Sequence, residues 1–205
     1  MYLVPALLLA LTLQPAGKAP TNPADVAEVD AIDCRLDQAS YMQFAMAVAG
    51  EEQLARKRHW KKVAPRNSFI DEYELPQPIV VAGSYSTRHI GFTGNGILAI
   101  LDVPDPAIIA RAEHVDNVVT AQPVIDAIVA TGKRTRSQAE ADMPFRKFLG
   151  ERIIQDKTEP AREGEDFGSH VVVARTISNA TTHPGKTFYG CSYRFEMLDK
   201  DGKPL

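Results

Sequence analysis

Very little in this chain is concentrated. It has two cysteines and one tryptophan in 205 residues, and a net charge of only −3. No run approaches the ~20 apolar residues that a membrane-spanning helix needs. The weak negative charge argues against nucleic acid as the main partner, because phosphate binding needs a net or clustered positive field. His59, His89, His114, His170 and His183 show no metal-ligating spacing such as His-Glu-x-x-His, and there is no Gly-x-Ser-x-Gly elbow. No internal repeat or low-complexity segment occurs. The sequence therefore assigns no catalytic residue, no cofactor and no metal site. A site assembled from distant residues stays open.

Hydrophobic residues at 44% and charged residues at 24% are ordinary for a globular chain, and the length suits one domain. Met1 to Leu13 is an apolar run broken by Pro5 and Thr12, followed by the small residues Ala16, Gly17 and Ala19. It reads as a secretory signal peptide over residues 1–19, although no Lys or Arg precedes it. The alternative, a buried N-terminal helix, is opposed by Pro15, Pro20 and Pro23. Asp33 before Cys34 stands where a lipoprotein signal needs a small residue. Residues 20–32 read as a flexible linker and 33–205 as one α+β domain.

Two cysteines fit export, where disulfides persist. A bridge between Cys34 and Cys191 would close most of the chain and stabilise it by up to about 5 kcal/mol. Two buried free thiols are the alternative for a cytosolic chain.

Periodicity predicts a helix over residues 33–49 with Asp33 as N-cap, then strands over 72–103. Pro76 and Pro78 confine the first of these to an edge or a strand start. Thr93-Gly94-Asn95-Gly96 marks a hairpin, and Ile97 to Leu101, apolar on both faces, a central strand. Asp105-Pro106 and Pro123 open helices, Ser137 with Glu140 suggests a capping box, and Phe145 to Gly150 a short helix. Strands return at 152–157, 170–178 and 187–198. The fold expected is α+β: an antiparallel sheet of five or six strands, with the N-terminal helix and a central helical segment packed on it.

Gly185-Lys186-Thr187 resembles part of a phosphate loop, but Ala180 replaces the first glycine and a strand follows where a helix should. It is a hairpin turn near Pro184-Gly185, which places His183 toward solvent and Cys191 inward among Tyr189, Tyr193, Phe195 and Met197. Arg175 shares the parity of Val171, Val173 and Ile177, so an inward arginine needs a carboxylate or a ligand. Arg56, Lys57, Arg58, Lys61 and Lys62 surround Trp60, either as a patch for an anionic partner or as a solvated connector with Trp60 in the core. With His183 and Lys186 they are the candidate partner-binding residues. Asp166-Phe167-Gly168 lacks the kinase loops it would need, and Asp199 to Gly202 lacks the later ligands of a calcium loop. Asn179-Ala180-Thr181 is a glycosylation sequon in eukaryotic secretion alone.

The reading that follows is an exported, periplasmic or secreted, non-enzymatic binding protein: an inhibitor, an immunity-type or an envelope accessory protein. Its partner would be a protein or envelope polymer, with no transmembrane span after processing. The alternative is a small exported hydrolase with a site drawn from residues such as His183, His89 and Asp102.

Overall fold

A strand apolar on both faces must be covered on both. In the computed structural model, which describes residues 22–116, 119–142 and 148–205, the strand Gly96–Leu101 is buried throughout and lies in the middle of a sheet. The sheet is made of two meanders. β1 (Lys61–Lys62), β2 (Asp71–Val81), β3 (Tyr85–Thr93) and β4 (Gly96–Leu101) run side by side, as do β5 (Val119–Thr120), β6 (Phe148–Glu159), β7 (Gly168–Asn179) and β8 (Thr187–Leu198). β4 and β8 join them at the centre, and every neighbouring pair is antiparallel.

The class is α+β, as expected, but the sheet has eight strands rather than five or six. The two outermost, β1 and β5, have two residues each, too few for a period-two pattern to register. Gly94-Asn95 connects β3 to β4. Pro76 and Pro78 fall in the stretch of β2 where the register with β3 is interrupted, and β1 reaches only Tyr73 and Glu74. Neither proline has to supply a ladder donor.

One face of the sheet carries the main core. Ile97, Ala99 and Leu101 of β4 and Tyr189, Cys191 and Tyr193 of β8 meet α1 (Glu28–Ile32) and α2 (Gln38–Ala49) there. The segment read as a flexible linker is in fact structured from residue 23: a 3-10 turn at Pro23–Asp25 leads into α1, and Val26, Ala31 and Ile32 are buried. The helix expected over 33–49 starts later, at Gln38, and α1 ends before Asp33. Asp33 is the C-cap of α1 and not the N-cap of α2, and its carboxylate accepts from the Tyr189 hydroxyl and from Arg35; Asp37 caps α2 by accepting from Ser40 N at 2.7 Å. Cys34 and Cys191 are bridged across 157 positions, tying the end of α1 to the central strand β8.

After the short α3 (Leu54–Lys57), the remaining helices are α4 (Pro106–Ala112), α5 (Gln122–Ala130) and α6 (Arg136–Ala141). Asp105 caps α4, which packs on β7. α5 and α6 instead bury Ile125 and Ala139 in a small cluster of their own, so the central segment does not pack on the sheet as one unit. The capping box of α6 is Thr135 with Gln138, not Ser137 with Glu140. Of the helix expected at 145–150, residues 145–147 lie outside the described residues, while Phe148 to Gly150 begin β6. The residues read as a signal peptide also lie outside them. No helix among the described residues is long and apolar enough to cross a membrane.

Strand β8 departs from the half-buried pattern expected of it. Phe188, Gly190 and Ser192 are buried as well as the odd positions, because both faces are covered there. Beyond Tyr193 the cover ends, and Phe195 and Met197 are 50% and 43% exposed.

Candidate functional site

The other face of the sheet carries a smaller apolar cluster of Ile70, Leu98, Ile100, Ala180 and Phe188. Its floor is low because β4 and β8 approach closely through glycine. A Cβ on Gly190 would come within 2.2 Å of the Ile97 carbonyl oxygen, and one on Gly96 within 2.4 Å of that of Cys191. Above this floor lies a cleft of about 670 Å³, with Phe69, Ile70, Leu98, Ala180 and Phe188 among its walls. A second lobe of about 130 Å³ shares Thr93, Asn95, Leu98 and Ser178 with it, and adds Thr176, Ser192, Glu151 and Arg194. Arg194 Nη1 donates to both Glu151 carboxylate oxygens, at 2.8 and 3.1 Å. Asp71, at the other end, is paired with Lys62 at 2.8 Å. No histidine lines either lobe.

Beside the cleft a row of polar groups is buried. His183 Nε2 stands 2.7 Å from Glu72 Oε1, its Nδ1 stands 2.9 Å from Thr182 Oγ1, and Asn67 Nδ2 donates to that hydroxyl at 3.4 Å. Glu72 lies opposite Gly91 across β2 and β3, and the space a Cβ on Gly91 would need is filled by Ile70 and Leu98. The His183 ring also meets Phe188 edge-on at 5.0 Å.

The expectation of a solvent-facing His183 is therefore corrected: the residue is 2% exposed. Pro184 and Gly185 make the turn, and Thr182 and His183 fold back beneath it onto an apolar wall and a buried carboxylate. Asn67, Glu72 and Thr182 were not singled out from sequence. Asn67 and Glu72 reach Thr182 and His183 across more than 100 positions, so no local spacing marks the row.

The basic stretch is dispersed. Trp60 is buried against Tyr73 and Phe92. Arg58 lies over the rings of Phe44 and Trp60, pairs with Glu28 at 2.5 Å and donates to the Ala24 and Val26 carbonyls. Arg56 donates to Gln53, and the Asp71 carboxylate raises the Lys62 pKa by hydrogen bonding. Lys57 and Lys61 are exposed. Lys186 pairs with Asp102, which engages the carboxylate that the hydrolase alternative would use.

Arg175 does turn inward. It donates to the Ile32 carbonyl at 2.5 Å, lies near Asp33 and Glu113 at 3.7 and 3.5 Å, and sits over the Tyr189 ring. It joins the end of α1, the end of α4 and two central strands. Among the described residues no group of three or more His, Cys, Asp or Glu side chains is placed to hold a metal ion.

No family model, no curated protein and no solved structure matches the chain.

Proposed function

We propose that this protein is an exported, non-enzymatic binding protein, periplasmic or secreted, whose partner is a protein or envelope polymer. The observation that carries this reading is the two-lobed cleft. The walls of its larger lobe are mostly apolar and those of its smaller lobe mostly polar, a combination usual in binding sites. Its carboxylates Asp71 and Glu151 are each tied to a cation, and no histidine stands among its walls to serve as a general base. The Cys34–Cys191 bridge supports export, since such bonds persist in oxidising compartments.

Two measurements test the reading. Intact mass of protein from its native envelope, with and without reduction and alkylation, should show loss of the first ~20 residues and thiols that react only after reduction. Pull-down from envelope extract should capture a partner that a Thr93→Trp variant, altered at the cleft mouth, fails to hold. A full-length mass with two free thiols would remove the case for export. Absence of any retained partner would remove the case for binding.

The row Thr182–His183–Glu72 favours one other reading. A hydroxyl, an imidazole and a carboxylate in hydrogen-bonded order have the connectivity of a hydrolase triad, with Glu72 in place of Asp102. Hydrolysis of a chromogenic ester that disappears in both Thr182→Val and Glu72→Gln would establish it. Activity absent from the parent protein, or unchanged in Thr182→Val, would eliminate it.

A further inference from the structure

We propose that the cleft holds a small, electrically neutral amphiphile: an apolar chain or ring with one uncharged hydrogen-bonding end, a hydroxyl or an amide, that reaches Ser192. This rests on the reading of the cleft as a binding site and assigns it a small ligand, held in addition to the protein or polymer partner proposed above.

Ser192 is the decisive residue. It is 8% exposed, lines the smaller lobe, and its hydroxyl has no hydrogen-bond partner. Buried polar groups are paired with few exceptions, and an unpaired one costs free energy that a folding role would not explain. Its neighbours across the sheet are Gly96 on β4 and Ala174 on β7. Neither has a side chain that could bond it. A ligand group entering the lobe could, after a rotation of the Ser192 side chain that turns its buried oxygen toward the lobe.

Charge selects the kind of end group. Glu151 stands at the Ser192 lobe and Asp71 at the far end, each paired with a cation. A carboxylate ligand would be brought beside a carboxylate. An ammonium ligand would have to compete with Arg194 or Lys62. A neutral end loses the least on leaving water and can both donate to and accept from a serine hydroxyl. The larger lobe supplies the apolar contact, from Phe69, Ile70, Leu98 and Phe188. Its volume lies within the range of small-molecule sites, and the smaller lobe has room for a polar group of a few atoms.

Calorimetric titration of the disulfide-bonded protein with decanol, decanamide, decanoate and decylammonium, each below its aggregation threshold, tests this. The neutral pair should bind saturably and at least about 10-fold more tightly than either ion. Ser192→Ala should weaken the neutral pair by about 3- to 10-fold, the worth of one hydrogen bond, with no fall in thermal stability. Thr93→Trp should weaken all four; Asn95→Trp, at an exposed rim position, serves if the first variant does not fold.

Equal or tighter binding of an ion overturns the neutral class. A Ser192→Ala variant that melts early and binds normally assigns the hydroxyl to the fold and overturns the proposal. Binding to phosphatidylcholine vesicles but to none of the free amphiphiles assigns the face to a lipid surface instead. No binding of any amphiphile overturns this ligand class, whereas a partner captured in pull-downs and lost in Thr93→Trp leaves the wider binding reading standing.

Discussion

Cys34, His59 and His114 each hold a left-handed backbone conformation, at φ near 57°, 57° and 54°. Each follows a short helix, and in each case the next amide reaches back across the last turn: Arg35 N to Asp30 O, Trp60 N to Ala55 O and Val115 N to Ala110 O. This is the capping motif in which glycine is favoured, because a Cβ at positive φ is strained. Cys34 retains the strained position because its sulfur must reach Cys191. His59 and His114 are exposed, so these histidines, without metal spacing in the sequence, act as helix stops. His114→Gly should raise stability by about 1 kcal/mol, read as a higher denaturation midpoint at unchanged slope; a fall would mean that the side chain has a role of its own. The tyrosines give a second test. Burial pushes the phenols of Tyr41, Tyr189 and Tyr193 above their ordinary value. A phenol raised on folding contributes stability that is complete below the unfolded value, near pH 10, and lost as pH rises toward the folded one. An ultraviolet titration should show these three ionising together with unfolding. Early, independent ionisation of all six tyrosines would contradict their burial.

At the scale of the element, the connection between β7 and β8 shows what local sequence can specify. Pro184 and Gly185 specify a turn, and Thr187 to Tyr193 specify a strand. Nothing near them specifies that His183 goes inward, since its carboxylate lies on β2 and its apolar wall becomes one only when Phe188 is covered. Glu72→Ala should cost about 3 kcal/mol, as it breaks a buried pair and strands the imidazole. Glu72→Gln, which keeps an acceptor, should cost less. Hydrogen exchange of residues 180–186 reads both, and protection unchanged in Glu72→Ala would show that the pair does not hold the connection down. The outer edge of β6 was also not apparent from sequence. β5 pairs with only two of its residues. Ile153 and Ile154 are exposed there, beside a register shift and among charged residues. Such a bulge and such charges discourage further strand pairing at an open edge.

For the whole molecule, the bridge between Cys34 and Cys191 and the ion-pairing of Arg175 fasten the helices to the centre of the sheet. Reduction, or the Cys34→Ala/Cys191→Ala pair, should cost about 2–5 kcal/mol. That corresponds to a melting temperature lower by about 5–20 °C at this size, and an unchanged melt would mean that the reduced chain is already restrained by other contacts. Sequence alone determined the α+β class, the central strand β4, the hairpin at Gly94-Asn95, the start of α4 and the inward course of Cys191 and Arg175. Those features follow from periodicity, turn chemistry and parity, which act over a few residues. Tertiary structure decided the break between α1 and α2, the separate packing of α5 with α6, the Glu72–His183 pair and the cleft over Ser192. Each depends on which distant strand becomes a neighbour. A floor of glycine and a hydroxyl without a partner become a site only when two meanders, coded in opposite halves of the chain, meet at β4 and β8.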